Sequence, residues 1–505
     1  MANPLYDTLF GRHAGSDAPF LYLPDGSVTS YADFLGMVAR IAGYLSASGL
    51  KPGDRLAAQI AKSPEALALY AACAQAGVVF LPLNTAYTAN EITYFLENSG
   101  ASMVVCDSGA VGALTPIAEG LGAQVVTLGA DGSGTLMEGA EGQSDTFQTA
   151  DRSEDDLAAL LYTSGTTGRS KGAMLSQRNL LSNAEVLKDE WRFTSDDVLL
   201  HCLPIFHTHG LFVATNVTLA AGGAMIFLPK FDVDAVLHQL PRATSMMGVP
   251  TFYTRLLDDA RFDKAATQHM RLFTSGSAPL LSETHDRFRA RTGHAILERY
   301  GMTETNMNTS NPYDGDRRAG TVGFPLPGVE LKVCDPDTGK ELPQGEVGQL
   351  EVRGDNVFQG YWQMPDKTAE ELREDGFFIT GDLGLIDDRG YVQIVGRGKD
   401  LIISGGYNIY PKEIELVLDE QPGVLESAVI GVPHPDFGET VVGVLVPEPG
   451  KTPDEDAIMA AAGEALARFK HPRKLIVLDE LPRNTMGKVQ KNILRERYGD
   501  LFTGG

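Results

Sequence analysis

Positive charge is scarce in this chain. Its 505 residues carry 42 Lys and Arg against 66 Asp and Glu, a formal net charge of −24. Such a field repels phosphate backbones and anionic lipid, so nucleic acid and membrane surfaces are poor partners. Cysteine is scarce too: Cys73, Cys106, Cys202 and Cys334 lie far apart, with no C-x-x-C spacing. That pattern gives no zinc site and fits reduced thiols in a cytoplasmic protein. No apolar run approaches the ~20 residues that a membrane span requires. Met1 to His13 lacks a basic segment followed by an apolar one, so no secretory signal is expected. Internal repeats are also missing.

Apolar residues make up 43% of the chain, more than one core normally serves, so at least two domains are expected. Ser30 to Gly49 reads as a helix: Ser30 caps it, Phe34, Val38, Ile41 and Leu45 form one apolar face, and Gly49 stops it. Strand-like Leu56–Ile60, helical Pro64–Ala76, the apolar run Val78–Leu83, helix Asn90–Asn98 and strand Met103–Cys106 follow. The alternation recurs at Val198–Leu203, Met225–Leu228 and Leu272–Thr274. Alternation of this kind predicts an α/β fold, with parallel sheets flanked by helices. Gly129–Ala140 reads as a Gly-rich surface loop, and Val322–Val352 as a small β-rich subdomain. Beyond Gly396-Arg397-Gly398-Lys399-Asp400 the pattern changes again, to strand Leu401–Ile403, helix Pro411–Glu420, strands Ala428–Val432 and Val441–Val446, helix Pro453–Phe469 and strand Lys474–Leu478. We therefore expect an N-terminal domain over 1–398 and a small α+β domain over 399–505.

The strongest motif is Tyr162-Thr163-Ser164-Gly165-Thr166-Thr167-Gly168-Arg169-Ser170-Lys171-Gly172, after the strand-like run Leu157–Leu161. Five Ser/Thr hydroxyls, three glycines and two cations in eleven residues suit a loop that wraps phosphate. Glycines let backbone N–H groups approach the oxygens, hydroxyls donate, and Arg169 and Lys171 supply charge. It is not a Walker A loop, because Ser170 stands where that motif requires glycine.

This loop resembles the phosphate loop of the adenylate-forming superfamily, which includes acyl-CoA synthetases, peptide adenylation domains and beetle luciferase. The superfamily's other signatures follow in order: Tyr300-Gly301-Met302-Thr303-Glu304, Thr380-Gly381-Asp382, Gly396-Arg397-Gly398-Lys399-Asp400 and Pro482-Arg483-Asn484-Thr485-Met486-Gly487-Lys488. The resemblance spans nearly the whole chain. It implies a large α/β domain, a small mobile C-terminal lid, and ATP with Mg²⁺ bound where they meet. The acid is first adenylated at the α-phosphate, because a carboxylate oxygen leaves too poorly for a thiol to displace it. CoA then accepts the acyl group.

The roles implied by the resemblance also make physical sense. Two anions must meet, so Lys488, a compact point charge on a flexible stem, bridges carboxylate and α-phosphate. Glu304 is the Mg²⁺ ligand, with waters and phosphate oxygens completing the shell. Asp382 accepts from the ribose hydroxyls, and Arg397 reaches ribose or phosphate. Ser275-Gly276-Ser277 meets the adenine, Glu298 to Met302 forms the opposite wall, and Tyr300 stacks on the base. Lys399 is the hinge, and Ser404-Gly405-Gly406 lines the pantetheine channel, where small residues let a thin chain pass. An acetyltransferase acting on Lys488 would remove its charge and switch off adenylation.

The acid pocket is expected from Pro204–Leu211, Gly248–Tyr253 and Arg299–Asn308, with His207 at the reacting carboxylate and Thr208 and Met302 beside it. Arg299 is the informative residue. A buried cation is costly beside an alkyl chain, whereas a second carboxylate pairs with it bidentately. The text around His207 and Arg299 resembles malonate–CoA ligases, which implies malonyl-CoA as product, or methylmalonyl-CoA. Lys230 and Arg255 are rival cations. Alternatives are another short acid, an adenylation enzyme loading a carrier-protein thiol, a non-catalytic binder, or a luciferase-like oxygenase. The intact set of Lys488, Glu304 and Asp382 argues against a mere binder.

Overall fold

Local chemistry sets the element boundaries. In the computed structural model Tyr31–Ala47 is helical, and the Ser30 side chain accepts a hydrogen bond from the Asp33 backbone N–H at its start. Pro64–Ala76 opens with proline in the first turn under a Ser63 cap and closes at Gly77, whose φ of 72° suits a residue without Cβ. Nearly every side chain of that helix is buried, so it is covered on all sides. The structure describes residues 3–163, 170–404, 407–484 and 487–502. No helix among them is long and apolar enough to cross a membrane.

The chain divides into two compact units that are discontinuous in sequence. The first holds Met1–Glu330 and Arg353–Phe378, the second Leu331–Val352 and Ile379–Gly505. The units thus part near the ends of the β-rich segment, and residues 353–378 return to the first unit.

Two sheets build the first unit. One runs Gln124–Thr127, Met103–Cys106, Arg55–Gln59, Val79–Pro82, Leu157–Thr163, Lys171–Ser176, parallel except for the last pair. The other has nine strands. Its parallel centre is Leu297–Met302, Leu272–Ser275, Ser245–Gly248, Val198–His201, Ala224–Phe227 and Pro19–Tyr22, with antiparallel strands at both edges. The mixed α/β architecture is the one expected. Gly129–Ala140 differs from its reading as a loop: Thr135–Glu141 is helical, because Leu136 and Ala140, one turn apart, both find the core.

In the second unit, Glu330–Cys334, Gly348–Arg353, Phe378–Ile386 and Val392–Arg397 form a four-stranded sheet. A second sheet pairs the long strands Val424–His434 and Gly438–Pro447, with Lys474–Val477 parallel to the latter. Both long strands outrun their expected lengths, since apolar character alone marks only their buried middles.

One buried ion pair fastens the large sheet at its rim. Arg271 donates from Nε and Nη2 to the two Asp197 oxygens at 2.6 and 2.8 Å, and its Nη1 reaches the Trp191 carbonyl at 2.8 Å. Burial alone would raise the Asp197 carboxyl, but hydrogen bonds from Arg271 and Thr244 outweigh it and hold the pKa below its usual value. Removing one partner strands the other. We expect Asp197→Ala to lower the free energy of the first cooperative urea transition by about 3 kcal/mol at pH 7. Because the folded pKa is depressed, the wild-type advantage is present at neutral pH and is lost as pH falls through the carboxylate range.

Candidate active site

The parallel strands end together, and their C-terminal edges carry most of the residues singled out from sequence. Ligands in open α/β sheets bind at such edges. Thr163 closes one strand, and Ser275 and Gly248 close two others. Ser164, Gly165, Thr166, Thr167, Gly168 and Arg169 lie outside the described residues, as do Gly405, Gly406, Thr485 and Met486. Beyond Ser275 the chain turns through Gly276 and Ser277. Ser277 has φ of 70°, a left-handed conformation that costs a residue with a side chain about 1–3 kcal/mol.

Arg299 lies at the centre of this edge. It is 4% exposed, and its Nε and Nη2 find no hydrogen-bond partner among the described residues. Burial pushes its pKa down to about 9. A Cβ at Gly276 would overlap the guanidinium, so glycine there gives Arg299 its place. Two imidazoles share its field. Burial first, then the Arg299 charge, lowers His207 to about 4. His209 is lowered further in the same order of causes, with His207 and His201 adding to the effect. Both rings are therefore neutral at pH 7. His209 Nδ1 is hydrogen-bonded to Ser277 Oγ at 3.2 Å, while its Nε2 and the Thr208 hydroxyl are buried and unpartnered among the described residues. Lys230 and Arg255 are both exposed, and Arg255 stacks over Phe231.

The strand Leu297–Met302 carries Glu298, Arg299, Tyr300, Gly301 and Met302, with Thr303 and Glu304 in the turn that follows. A bulge at Tyr300–Gly301 lets the strand re-aim. At Gly301 a side chain would overlap the Asn306 carbonyl, which is why this motif needs glycine. Glu304 is buried, and its Oε1 receives the Tyr361 hydroxyl at 3.0 Å. Among the described residues no group of three or more His, Cys, Asp or Glu is placed to hold a metal. A single buried carboxylate fits Mg²⁺, which keeps several waters and rides on phosphate, better than a caged ion.

Lys171, expected to face phosphate, has its Nζ against both Glu371 oxygens, at 3.1 and 3.2 Å, and 4.0 Å from the Tyr361 ring centroid. Tyr361 and Glu371 escaped the sequence reading. Both lie in the returning segment, and the Gly360-Tyr361-Trp362 cluster was the available signal.

Asp382 and Arg397 belong to the second unit, where they pair at 2.7 Å (Arg397 Nε to Asp382 Oδ1) across neighbouring strands. Arg397 Nη1 also donates to the Thr380 carbonyl at 3.2 Å. Lys488 is exposed, and its backbone N–H donates to Asn484 Oδ1. The Lys399 ammonium is lowered to about 8, by desolvation first, with Arg397, Lys488 and Arg495 opposing Asp400. Lys399 and Lys488 thus share one basic cluster with Arg397 and Arg495. Ser404 ends the short strand Ile402–Ser404.

Comparison with known proteins matches this geometry to a family. Residues 11–362 match the AMP-binding enzyme model and residues 413–488 its C-terminal domain. The chain is 37% identical over 482 residues to a feruloyl-CoA synthase from an Amycolatopsis species, covering 94% of this chain and 95% of that one. It is 35% identical over 453 residues to a malonate–CoA ligase of Arabidopsis thaliana, covering 83% and 74%. The crystal structure of ATP-bound MatB from Rhodopseudomonas palustris superposes with a TM-score of 0.98 at 60% identity, covering 99% of this chain and 100% of that one.

The neutral histidines make stability depend on pH. Between 6.5, the ordinary value, and about 4, an unfolded chain protonates His207 while the folded one does not, so stability falls as pH drops through that window. We expect His207→Asn to lose less stability than wild type between pH 7 and pH 5, read from urea midpoints.

Proposed function

Because the chain belongs to the AMP-binding enzyme family and is thereby an AMP-forming acid–CoA ligase, we propose that its acid is malonate, with methylmalonate as the near alternative. The observation that carries this reading is the buried Arg299 guanidinium, whose Nε and Nη2 have no partner among the described residues. A desolvated cation of this kind costs several kcal/mol unless an anion meets it. A monocarboxylic acid spends its one carboxylate at the α-phosphate and leaves Arg299 facing an apolar tail. A dicarboxylic acid has a second carboxylate to give, and the planar fork of arginine accepts it bidentately. Rival cations Lys230 and Arg255 sit in water and face no such cost. The malonate–CoA ligase relative supports the same choice.

On this reading the residues divide the work as follows. Arg299 holds the distal carboxylate, which points the other carboxylate toward the nucleotide. Neutral His207, with Thr208 and Met302, borders the reacting carboxylate without adding charge to an already cationic pocket. Lys488 supplies the positive charge that lets the carboxylate approach the α-phosphate. Glu304 would hold Mg²⁺, which offsets phosphate charge when bound. Thr163, the hydroxyl loop and Lys171 cradle phosphate, Ser275–Ser277 and Glu298–Thr303 enclose the adenine, and Asp382 with Arg397 meets the ribose. Release of pyrophosphate leaves an acyl-adenylate, and the CoA thiol displaces AMP. Ser404–Gly406 would line its path, with Lys399 as the hinge residue.

A panel of mono- and dicarboxylic acids with ATP, Mg²⁺ and CoA, scored by AMP release, tests the proposal. Malonate or methylmalonate should lead, with acetate, propionate and ferulate far behind. In Arg299→Ala we expect kcat/KM for malonate to fall by about two to three decades, equivalent to roughly 2–4 kcal/mol, with the KM for ATP within about twofold. An unchanged malonate KM and rate in that variant would remove the dicarboxylate reading.

A further inference from the structure

A continuous set of contacts links the base of the phosphate loop to Glu304 through residues with no role in the reaction as described so far. The Tyr361 hydroxyl lies 3.0 Å from Glu304 Oε1 and 2.6 Å from Glu371 Oε2. Glu371 also receives Lys171 at 3.1 Å and Lys367 at 2.9 Å. The backbone is tied at the same places. Met174 N–H donates to the Gly360 carbonyl at 3.0 Å, Trp362 N–H to Gly172 at 2.7 Å, and Phe358 N–H to Glu304 at 2.8 Å. Tyr361 N–H donates to Thr368 Oγ1 at 2.9 Å. Residues 358–362 therefore brace both the strand that leaves the phosphate loop and the turn that holds Glu304.

The chemistry of the phenol makes this more than packing. It has one proton and faces two carboxylates, so it donates to one at a time. The shorter contact is to Glu371, the carboxylate that two lysines neutralise. Lys171 and Lys367 already compensate Glu371, so the Tyr361 proton stays available to Glu304, and one phenolic oxygen ties the two carboxylates together. The ring of Tyr361 also carries the Lys171 ammonium on its face, so the two lysine contacts share one anchor.

We propose that Tyr361 and Glu371 are positioning residues for the metal–nucleotide half of the site: the hydroxyl orients the Glu304 carboxylate, and Glu371 stations Lys171 beside it. This rests on the reading of Glu304 as the Mg²⁺ carboxylate and Lys171 as a phosphate cation. Neither residue is asked to touch the acid or the thiol, so their loss appears in metal and nucleotide binding and not in acid or CoA binding.

Tyr361→Phe removes one oxygen and keeps the ring, with its edge-to-face contact to Phe358 at 4.8 Å. Glu371→Gln keeps shape and removes charge, and it serves if the first variant does not fold. Mn²⁺ binding in the presence of ATP, without acid so that nothing turns over, is read by electron paramagnetic resonance. Tyr361→Phe should weaken Mn²⁺ binding about tenfold. Glu371→Gln should weaken ATP binding severalfold by calorimetry, and for Mn²⁺ affinity measured in both single variants and the double variant, the double variant should lose less than the product of the two single factors. KM values for acid and CoA should stay within about twofold, since those ligands are not positioned by the brace. Unchanged Mn²⁺ and ATP affinities in both single variants would overturn the proposal. So would equal rises in KM for ATP, acid and CoA, or factors that simply multiply. Unchanged Mn²⁺ affinity in Glu304→Gln would instead refute the metal assignment on which the proposal stands.

Discussion

A positive charge held away from water, with two of its nitrogens unpartnered among the described residues, is the constraint around which this edge of the large sheet is arranged. Arg299 would be intolerable in a finished protein interior, and the surroundings are adapted to it. Gly276 is empty of side chain where the guanidinium lies. The two nearest imidazoles give up their protons. Ser277 accepts a left-handed backbone while bonding His209. The buried charge and the left-handed Ser277 are each a local cost of about a kcal/mol or more, of the kind that clusters at functional sites. A ligand that brings a carboxylate would relieve the largest of them.

The ATP side of the site follows a different logic. Within each unit the charges are paired: Lys171 with Glu371 in the first, and Asp382 with Arg397 in the second. An acidic chain that must hold a polyanion cannot rely on its overall field, so it keeps its cations in place with local carboxylates. Exchange of a protein carboxylate for a phosphate oxygen then changes partners without creating an unpaired ion, which lowers the desolvation penalty of either state.

Much of this was legible in the sequence where the signal was local. Pro64–Ala76 carries its own cap, first-turn proline and terminal glycine, and its boundaries appear as read. Arg299 stood out because charge at that position conflicts with an apolar pocket. The helix at Thr135–Glu141 was hidden by surrounding glycines, since two buried residues are too few to show a period. Tyr361 and Glu371 were invisible for a deeper reason. Helix Pro365–Glu371 buries none of its side chains fully, and nothing local distinguishes it from a polar connector. The meaning of the two residues comes from partners 57 and 200 positions away along the chain, Glu304 for Tyr361 and Lys171 for Glu371. The pairing of Asp382 with Arg397 likewise depends on strand register, which motif order does not reveal.

The chain's route between its units has a practical side. The polypeptide crosses from one unit to the other three times, after Glu330, Val352 and Phe378. No single uninterrupted stretch of coding sequence therefore encodes either one. A fragment that stops at Val352 leaves out the bridge partner of Ala173, and one that stops at Gly398 takes Val392–Arg397 without the long strands that follow it. Anyone dividing the gene into halves for complementation, labelling or domain grafting would have to splice three joints rather than choose one cut.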